Sequence, residues 1–87
     1  GRLSLAVRPL QPEEKRQSGL PGGLVVMEAS GPSAKVGIQP GDVILSLNGT
    51  PVSSVQDLRT LVERSGKHVA LLVQRDDTKI FVPVDLG

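Results

Sequence analysis

His68 is the only histidine in the sequence and is therefore the only candidate base for a Ser-His-Asp triad. Such a triad needs a carboxylate that holds the imidazole and an activated serine beside it. The chain contains no G-x-S-x-G motif, and His68 falls at the predicted start of a strand. We therefore predict that His68 is an exposed residue at the end of a strand and that this chain has no catalytic constellation. The hypothesis that the chain is an independent small enzyme rests on His68 alone.

The sequence RDD at 75–77 raises the question of a metal site, since carboxylates bind hard cations. Adjacent acids at the tip of a hairpin are usually turn residues, and no further ligands are spaced to complete a site. The absence of cysteine excludes a thiolate site and a disulfide framework. We predict neither a metal nor another cofactor.

The charges of the sequence are balanced and scattered. Ten Lys/Arg against nine Asp/Glu give a formal net charge of +1, so no basic stripe is available to neutralise a series of phosphates. Phe81 is the single aromatic residue and offers no stacking platform for bases. Nucleic acid is therefore not an expected partner.

The length of 87 residues predicts a single domain over 1–87 with a small core, since such a chain buries roughly 60–65% of its unfolded surface. No apolar run approaches the roughly 20 residues that span a bilayer, so no membrane span is predicted. The N-terminus lacks the basic and apolar regions of a signal peptide. If the parent protein is exported, we expect its signal upstream of this segment.

Short apolar runs alternate with turn residues in the first half of the chain. The predicted elements are a strand at 3–7 (LSLAV), a long exposed loop at 8–23 with a helical turn at 12–17, a strand at 24–29 (LVVMEA) and a short helix at 32–36. Ser30 and Pro32 are typical of the start of that helix, and Gly37 would end it in a left-handed conformation. Next, QPGD at 39–42 has the residues of a type II turn, and Asn-Gly at 48–49 is a strong hairpin signal.

The second half of the sequence predicts a longer helix at 53–66, with Ser53 or Ser54 as its cap and Gly66 as its end. Helical spacing directs Leu58 and Leu61 inward. The residues along one flank are Val55, Arg59 and Val62. A closing hairpin around 76–78 follows, with one set of apolar residues on one face of its first strand and another on one face of the second: Val69, Leu71 and Val73, and Ile80, Val82 and Val84. Strands with two unequal helices predict an α+β, mainly β fold, a partly open barrel or sandwich of five to six strands with the helices over its ends.

SGPSAKVGIQPGDVILSLNG at 30–49 resembles the signature of PDZ domains, and most closely the second, C-terminal PDZ domain of HtrA/Do-type (DegP/MucD-like) bacterial serine proteases. The resemblance covers nearly the whole chain and implies the circularly permuted, protease-type strand order. In that family a loop of pattern x-Leu-Gly-apolar holds a peptide's C-terminal carboxylate by its backbone N–H groups. The residues at those positions are Arg2, Leu3, Ser4 and Leu5.

The resemblance also implies that the strand from Leu5 through Ala6 to Val7 pairs with the peptide, while the flank of the long helix forms the opposite wall. Val55 occupies the position at which domains that choose Ser/Thr ligands carry His, so an apolar ligand residue is expected there. Arg59, one turn on, would attract an acidic side chain. From the residues alone, the same positions are also consistent with an ordinary loop, core valines and a solvated arginine.

This sequence departs from the family pattern at Ser4, where Gly is usual, and in the short helix, where Ser33 and Val36 replace Ala. Because Gly tolerates positive φ far better, Ser4 is expected either to change the loop at a cost of about 1 kcal/mol or to weaken carboxylate capture.

Two functional hypotheses follow from the resemblance. One is a peptide-binding module of a periplasmic serine endoprotease, which recognises C-terminal or unfolded segments and delivers them to, or regulates, an upstream protease domain. The other is a structural domain that contacts other subunits of the protease oligomer, with its groove weak or unused. Ser4 favours the second.

Overall fold

The computed structural model describes residues 2–87, which form one antiparallel sheet with three helices around it. The elements are β1 (Leu5–Pro9), α1 (Pro12–Ser18), β2 (Leu24–Ala29), α2 (Gly31–Lys35), β3 (Val43–Leu47), β4 (Thr50–Pro51), α3 (Val55–Arg64), β5 (His68–Arg75) and β6 (Thr78–Asp85). The strand order is β1-β2-β3-β5-β6, and β4 pairs with β3. β1 and β6 are thus the two edges of an open sheet, which confirms the predicted mainly β, partly open fold.

Alternate residues of the strands build the core, as the period of two predicted. Its most deeply buried side chains are Leu24, Val26, Ile44, Leu47, Val52, Leu71, Val73 and Val84. α3 closes the core from one side with Leu58 and Val62. The opposite face of the closing hairpin is turned outward, where Phe81 pairs with Leu72 and remains 75% exposed. The sheet therefore has one buried and one open face.

Both predicted tight turns are present. Asp42 N–H donates to the Gln39 carbonyl at 3.1 Å, and Gly41 between them has φ +94°, as a type II turn requires. Asn48 and Gly49 have φ values of +49° and +84°, the two left-handed residues of a type I′ hairpin turn. These turns fix the direction of β3 and of the chain that leads to α3.

The first strand begins two residues later than the apolar run predicted. Leu3 lies in a loop, yet its side chain is buried in the core. The apolar run LSLAV therefore combines a core residue of the loop with the first residues of the strand. The helical turn predicted at 12–17 is the two-turn helix α1. Gly19 ends α1 in the left-handed conformation, with φ +73°.

The sequence predicts that Gly66 ends α3, but the helix ends at Arg64. The C-cap is Ser65, and it has an extended rather than a left-handed conformation. Its hydroxyl donates to the Leu61 carbonyl at 2.6 Å and its N–H to the Val62 carbonyl at 3.2 Å. These bonds satisfy the carbonyls of Leu61 and Val62, and the chain leaves the helix without a left-handed glycine.

An ion pair between a buried carboxylate and a partly exposed arginine joins the type II turn to β5. Asp42 is only 3% exposed, and its carboxylate accepts from Arg75 Nε at 2.9 Å and Nη2 at 2.7 Å. Arg75 also donates to the Gly37 carbonyl, and Gln39 N–H donates to Asp42 at 2.9 Å. Burial by itself raises the pKa of Asp42, but the bonds from Arg75 and Gln39 outweigh it and hold the pKa below its usual value.

A second ion pair fastens α1 to the end of β1. Arg8 donates to both Glu14 oxygens, at 2.7 and 2.9 Å, and the Gln11 N–H donates to Glu14 at 2.9 Å as in a capping box. The bond from Arg8, followed by the bond from Gln11, lowers the pKa of Glu14 to about 2. The pair holds the far end of the edge strand against the loop that follows it.

We expect a carboxyl-detected NMR titration to give Glu14 a pKa of about 2, and the variant Arg8→Gln to return it toward 4.5. Since the folded-state pKa lies below the unfolded one, the stabilisation is complete above pH 4.5 and is lost as the pH falls toward 2. Arg64→Gln, on the last turn of α3, is the control and should leave the Glu14 titration unchanged. A Glu14 pKa near 4.5 in the unsubstituted protein would contradict the contact.

The outer edge of β6 carries a proline that interrupts its hydrogen-bonding groups. Pro83 lies opposite Ala70 of β5, whose N–H and carbonyl both bond to Asn48, each at 2.8 Å. Ala70 therefore turns its polar backbone groups away from β6, and Pro83 likewise turns its own away from β5, toward the free edge. Proline has no N–H to present there.

Candidate functional site

A groove of about 290 Å³ runs between the edge strand β1 and the helix α3. Its lining residues are Arg2, Leu3, Ser4, Leu5, Val7, Val55, Leu58, Arg59, Val62 and Glu63. The floor is apolar, because Leu3, Leu58 and Val62 are all less than 8% exposed. The groove thus offers an apolar channel with one strand edge along its length.

The strand side of the groove presents unpaired backbone groups. The Ser4 carbonyl accepts from Ser30 N–H at 3.0 Å and the Leu10 N–H donates to Gly23, so the even-numbered residues of β1 face its partner strand β2. Neighbouring residues of a strand turn their backbone groups to opposite sides, and Leu5 and Val7 therefore direct theirs toward the groove. Pro9 is the next residue of that set and has no N–H, so it ends the row of donors.

The loop before β1 has the left-handed backbone that favours glycine, although it carries Ser4. Ser4 has φ +57°, and its carbonyl is bound by Ser30 N–H, with the Ser30 hydroxyl at 3.3 Å. The preceding carbonyl, that of Leu3, accepts from the buried Ser33 hydroxyl at 2.6 Å. Ser4 therefore takes a positive φ, the angle that glycine tolerates far better, and its expected effect on the loop and on carboxylate capture stays a prediction.

The two bound carbonyls determine where the loop amides point. In a trans peptide unit the C=O of one residue and the N–H of the next point in opposite directions. Because the carbonyls of Leu3 and Ser4 both turn toward α2 and its cap, the N–H groups of Ser4 and Leu5 turn the other way, toward the groove. Two donors therefore converge at one end of the channel.

Arg2 connects this loop to the end of α3. Its Nη1 donates to the Val62 carbonyl at 3.3 Å, and its Nη2 lies 3.5 Å from the Gly66 carbonyl. A cation at a helix C-terminus is stabilised by the partial negative charge of the last carbonyls. Arg2 thus contributes positive charge to the donor end of the groove and ties its two walls together.

The helix side of the groove is held by a serine cap. The Ser54 hydroxyl accepts from Asp57 N–H at 3.0 Å, and the Asp57 carboxylate accepts from Ser53 N–H at 3.1 Å. These bonds lower the pKa of Asp57, with Ser53 N–H as the largest cause. Ser54 is thus the cap among the two serines predicted, and the helix begins with Val55 on the groove wall.

The structure brings eight of the nine predicted site residues to the groove. Val55 is 37% exposed, Val62 faces both core and groove, and Arg59 is exposed on the same face. Ala6 is the exception: it is exposed and pairs with Glu28, with its backbone turned to β2. Their parts in binding remain predictions.

Sequence reasoning missed two residues of the helix wall, Leu58 and Glu63. The sequence predicts Leu58 as a core residue. It lies three residues after Val55, on the same helical face, and contributes both to the core and to the lining of the groove. Glu63 lies four residues after Arg59 and completes the rim. Helical periodicity alone could have found both.

Other chemistry is sparse in the part of the chain that the structure describes. No three His, Asp or Glu side chains of residues 2–87 come together as metal ligands. His68 lies at the start of β5, exposed, with Nδ1 4.0 Å from an Asp85 oxygen. None of the described helices is long and apolar enough to cross a bilayer.

Comparison with known proteins identifies the fold. A family model described as "PDZ domain" matches residues 25–75. The chain belongs to the PDZ domain family. Among solved structures, the HtrA3 PDZ domain bound to a phage-derived ligand (FGRWV) superimposes on this PDZ domain with a TM-score of 0.83, 25% identity, and coverage of 95% of this chain and 81% of that one.

HtrA-type proteases are also among the sequence relatives of this PDZ domain. A "probable periplasmic serine endoprotease DegP-like" of Hahella chejuensis is 38% identical over 88 residues, which is 98% of this chain and 19% of the relative. The HtrA-type protease AlgW with a decapeptide matches with a TM-score of 0.78 and 30% identity, over 95% of this chain and 27% of that one. This PDZ domain thus spans about a fifth of the length of the curated relatives it matches, and is homologous to their non-catalytic part.

Proposed function

We propose that this PDZ domain, a single module over residues 1–87, binds the C-terminal end of a peptide as an additional strand on β1. The observation that carries the proposal is the free edge of β1 beside the groove, where Leu5 and Val7 direct their backbone groups. A peptide laid along this edge exchanges main-chain hydrogen bonds with both residues, and its alternate side chains enter the channel.

The donor end of the groove is suited to a carboxylate. The N–H groups of Ser4 and Leu5 converge there, and Arg2 adds positive charge beside them. Hydrogen bonds to an ionised acceptor are roughly twice as strong as neutral ones, so a free C-terminus gains more than an amide there. The neighbouring buried floor favours an apolar last residue, as in the valine-terminated ligand of the HtrA3 domain.

We further propose that the parent protein is a periplasmic serine endoprotease in which this module, at the C-terminal end, delivers or senses unfolded segments. The support is the similarity to DegP-like relatives that are themselves named periplasmic serine endoproteases. The upstream protease domain and the other subunits of the parent are the partners that this proposal requires.

The alternative, a subunit-contact domain with an unused groove, depended on the expectation that Ser4 distorts the carboxylate loop. Ser4 adopts a positive φ of +57°, the kind of angle for which glycine is usual, and this supports a loop that can still present its amides to a ligand. Peptide recognition is the function that the geometry supports best.

Fluorescence polarisation with labelled FGRWV and a panel of peptides with apolar C-termini tests the proposal, each with a free and an amidated C-terminus. We expect micromolar binding of free acids that weakens about tenfold or more on amidation, since a charge-assisted hydrogen bond contributes about 1.5–3 kcal/mol. Equal binding of both forms would reject carboxylate recognition. No binding by any peptide would reject strand addition and favour the subunit-contact role.

Arg59 is expected to select an acidic ligand side chain. It is exposed on the groove wall and takes part in none of the ion pairs of residues 2–87. Replacing a ligand glutamate opposite it by lysine should weaken binding about threefold, the scale of an exposed ion pair, and Arg59→Glu should reverse the preference. Arg64→Glu, on α3 outside the groove, is the matched control. A preference that survives Arg59→Glu, or ignores salt, would contradict this assignment.

A further inference from the structure

The hydroxyl of Ser33 is part of the groove's support although it does not line the groove. Ser33 is fully buried in α2, and its Oγ donates to the Leu3 carbonyl at 2.6 Å across 30 positions of sequence. This is the only side-chain hydrogen bond to the Leu3 carbonyl among the described residues. The peptide unit that it fixes, between Leu3 and Ser4, is the one whose N–H turns into the groove.

The support matters because the next residue is strained. Ser4 has φ +57°, in the left-handed region that residues other than glycine occupy at a cost in free energy. Rotation of the Leu3–Ser4 peptide unit would move the Ser4 N–H away from the donor end of the groove. The bond from Ser33 opposes that rotation, because it holds the carbonyl on the opposite side of the same planar unit.

The neighbourhood of Ser4 accommodates its side chain. A Cβ added at Gly31, the first residue of α2, would lie 2.9 Å from the Ser4 hydroxyl and 3.3 Å from its Cβ. Gly31 itself has φ +49°, so it provides both the turn and the space that Ser4 occupies. Loop and α2 are thus fitted to each other at three places: the Leu3 carbonyl, the Ser4 carbonyl and the Ser4 side chain.

We propose that Ser33 is a positioning residue for carboxylate recognition: its hydroxyl holds the Leu3–Ser4 peptide unit so that the Ser4 N–H faces the ligand's C-terminus. The inference rests on the proposed function. It assigns to α2 a part in specificity for free C-termini, although α2 lies outside the groove. It also makes the effect of Ser33 dependent on residue 4, since glycine at that position takes positive φ without strain.

Ser33→Ala tests the inference with a labelled FGRWV peptide in its free-acid and amidated forms. We expect the free acid to bind about tenfold more weakly, on the scale of a charge-assisted bond, and the amidated form to change less than about twofold. The double variant Ser4→Gly/Ser33→Ala should recover to within about threefold of the unsubstituted protein, because residue 4 then needs less support. Ser46→Ala, another buried serine but on β3, is the matched control and should change neither affinity.

The outcomes separate this inference from the proposed function. Failure of the unsubstituted protein to distinguish acid from amide overturns both. Normal discrimination there with equal losses for both peptides in Ser33→Ala, or with no loss, overturns the role of Ser33 alone.

An NMR measurement on the unsubstituted protein tests the inference without depending on the folding of any variant. In ¹⁵N-labelled protein, the Ser4 amide proton should move downfield with the free acid and stay in place with the amide. The same shift with both forms would overturn the inference.

Discussion

Replacing Asp42 by alanine is expected to lower the free energy of unfolding by about 2 kcal/mol, a large share of the roughly 4–13 kcal/mol typical of a chain of this length. The change removes a buried carboxylate that accepts two bonds from Arg75 and one from Gln39. Arg75 is left able to turn to solvent, because its side chain is 36% exposed. Urea unfolding followed by far-UV circular dichroism measures the loss, since the sequence has no Trp or Tyr.

The reverse truncation separates the two partners. Arg75→Met leaves the carboxylate of Asp42, only 3% exposed, without its cation, and we expect it to destabilise more than Asp42→Ala. It should also raise the pKa of Asp42, so that the destabilisation is largest where the carboxylate is ionised and is partly relieved by protonation as the pH falls. Arg16→Met removes the exposed pair with Glu13 and is the matched control, with almost no expected effect. If Arg75→Met lowered the free energy of unfolding less than Asp42→Ala, the unpaired buried carboxylate would not be the main source of destabilisation.

Val55→Asp is expected to weaken binding of an apolar-tailed peptide by about 30-fold, because a carboxylate on the groove wall must be desolvated by the ligand. The fold should tolerate the change, since Val55 is 37% exposed and is the first residue of α3, where a negative charge is favourable. The new carboxylate also lies one turn before Arg59 and would compete for its charge. Fluorescence polarisation gives the affinity, and thermal unfolding checks that the domain is intact.

Val36→Asp is the matched control for Val55→Asp. Val36 is a valine of similar exposure, 41%, at the end of α2 and outside the groove. Val36→Asp should leave the affinity for the peptide within about twofold of that of the unsubstituted protein, because the new charge is distant from the groove and screened by salt. Equal losses in the two variants would mean that net charge, and not the groove, determines binding.

Local rules explain why so much of the scaffold could be predicted. The turn at Gly41 and the Asn48-Gly49 hairpin depend on backbone angles that few residue types adopt, so the sequence declares them directly. The inward residues of β5 and β6 follow from a period of two. Most of the groove followed from resemblance, which places the loop and the helix flank opposite each other.

The remaining features depend on contacts between distant parts of the chain. The angle of Ser4 is set by its surroundings, through bonds to Ser30 and Ser33 that join residues 26 or more positions apart. A single sequence gives no signal for such bonds. The end of α3 is a similar case, because the hydroxyl of Ser65 and the guanidinium of Arg2 satisfy carbonyls that Gly66 was expected to relieve.

The proline on the outer edge of β6 affects how crowded copies of this domain behave. A sheet with two receptive edges can stack edge to edge and grow into a filament, whereas in this sheet a proline interrupts the edge formed by β6. Pro83 interrupts the donors of β6 near their middle, and Lys79 and Asp85 flank it with charge. The β1 of a second copy therefore finds no continuous partner there. We expect no association of copies through the edge of β6 at high concentration, while the edge of β1 beside the groove remains unpaired.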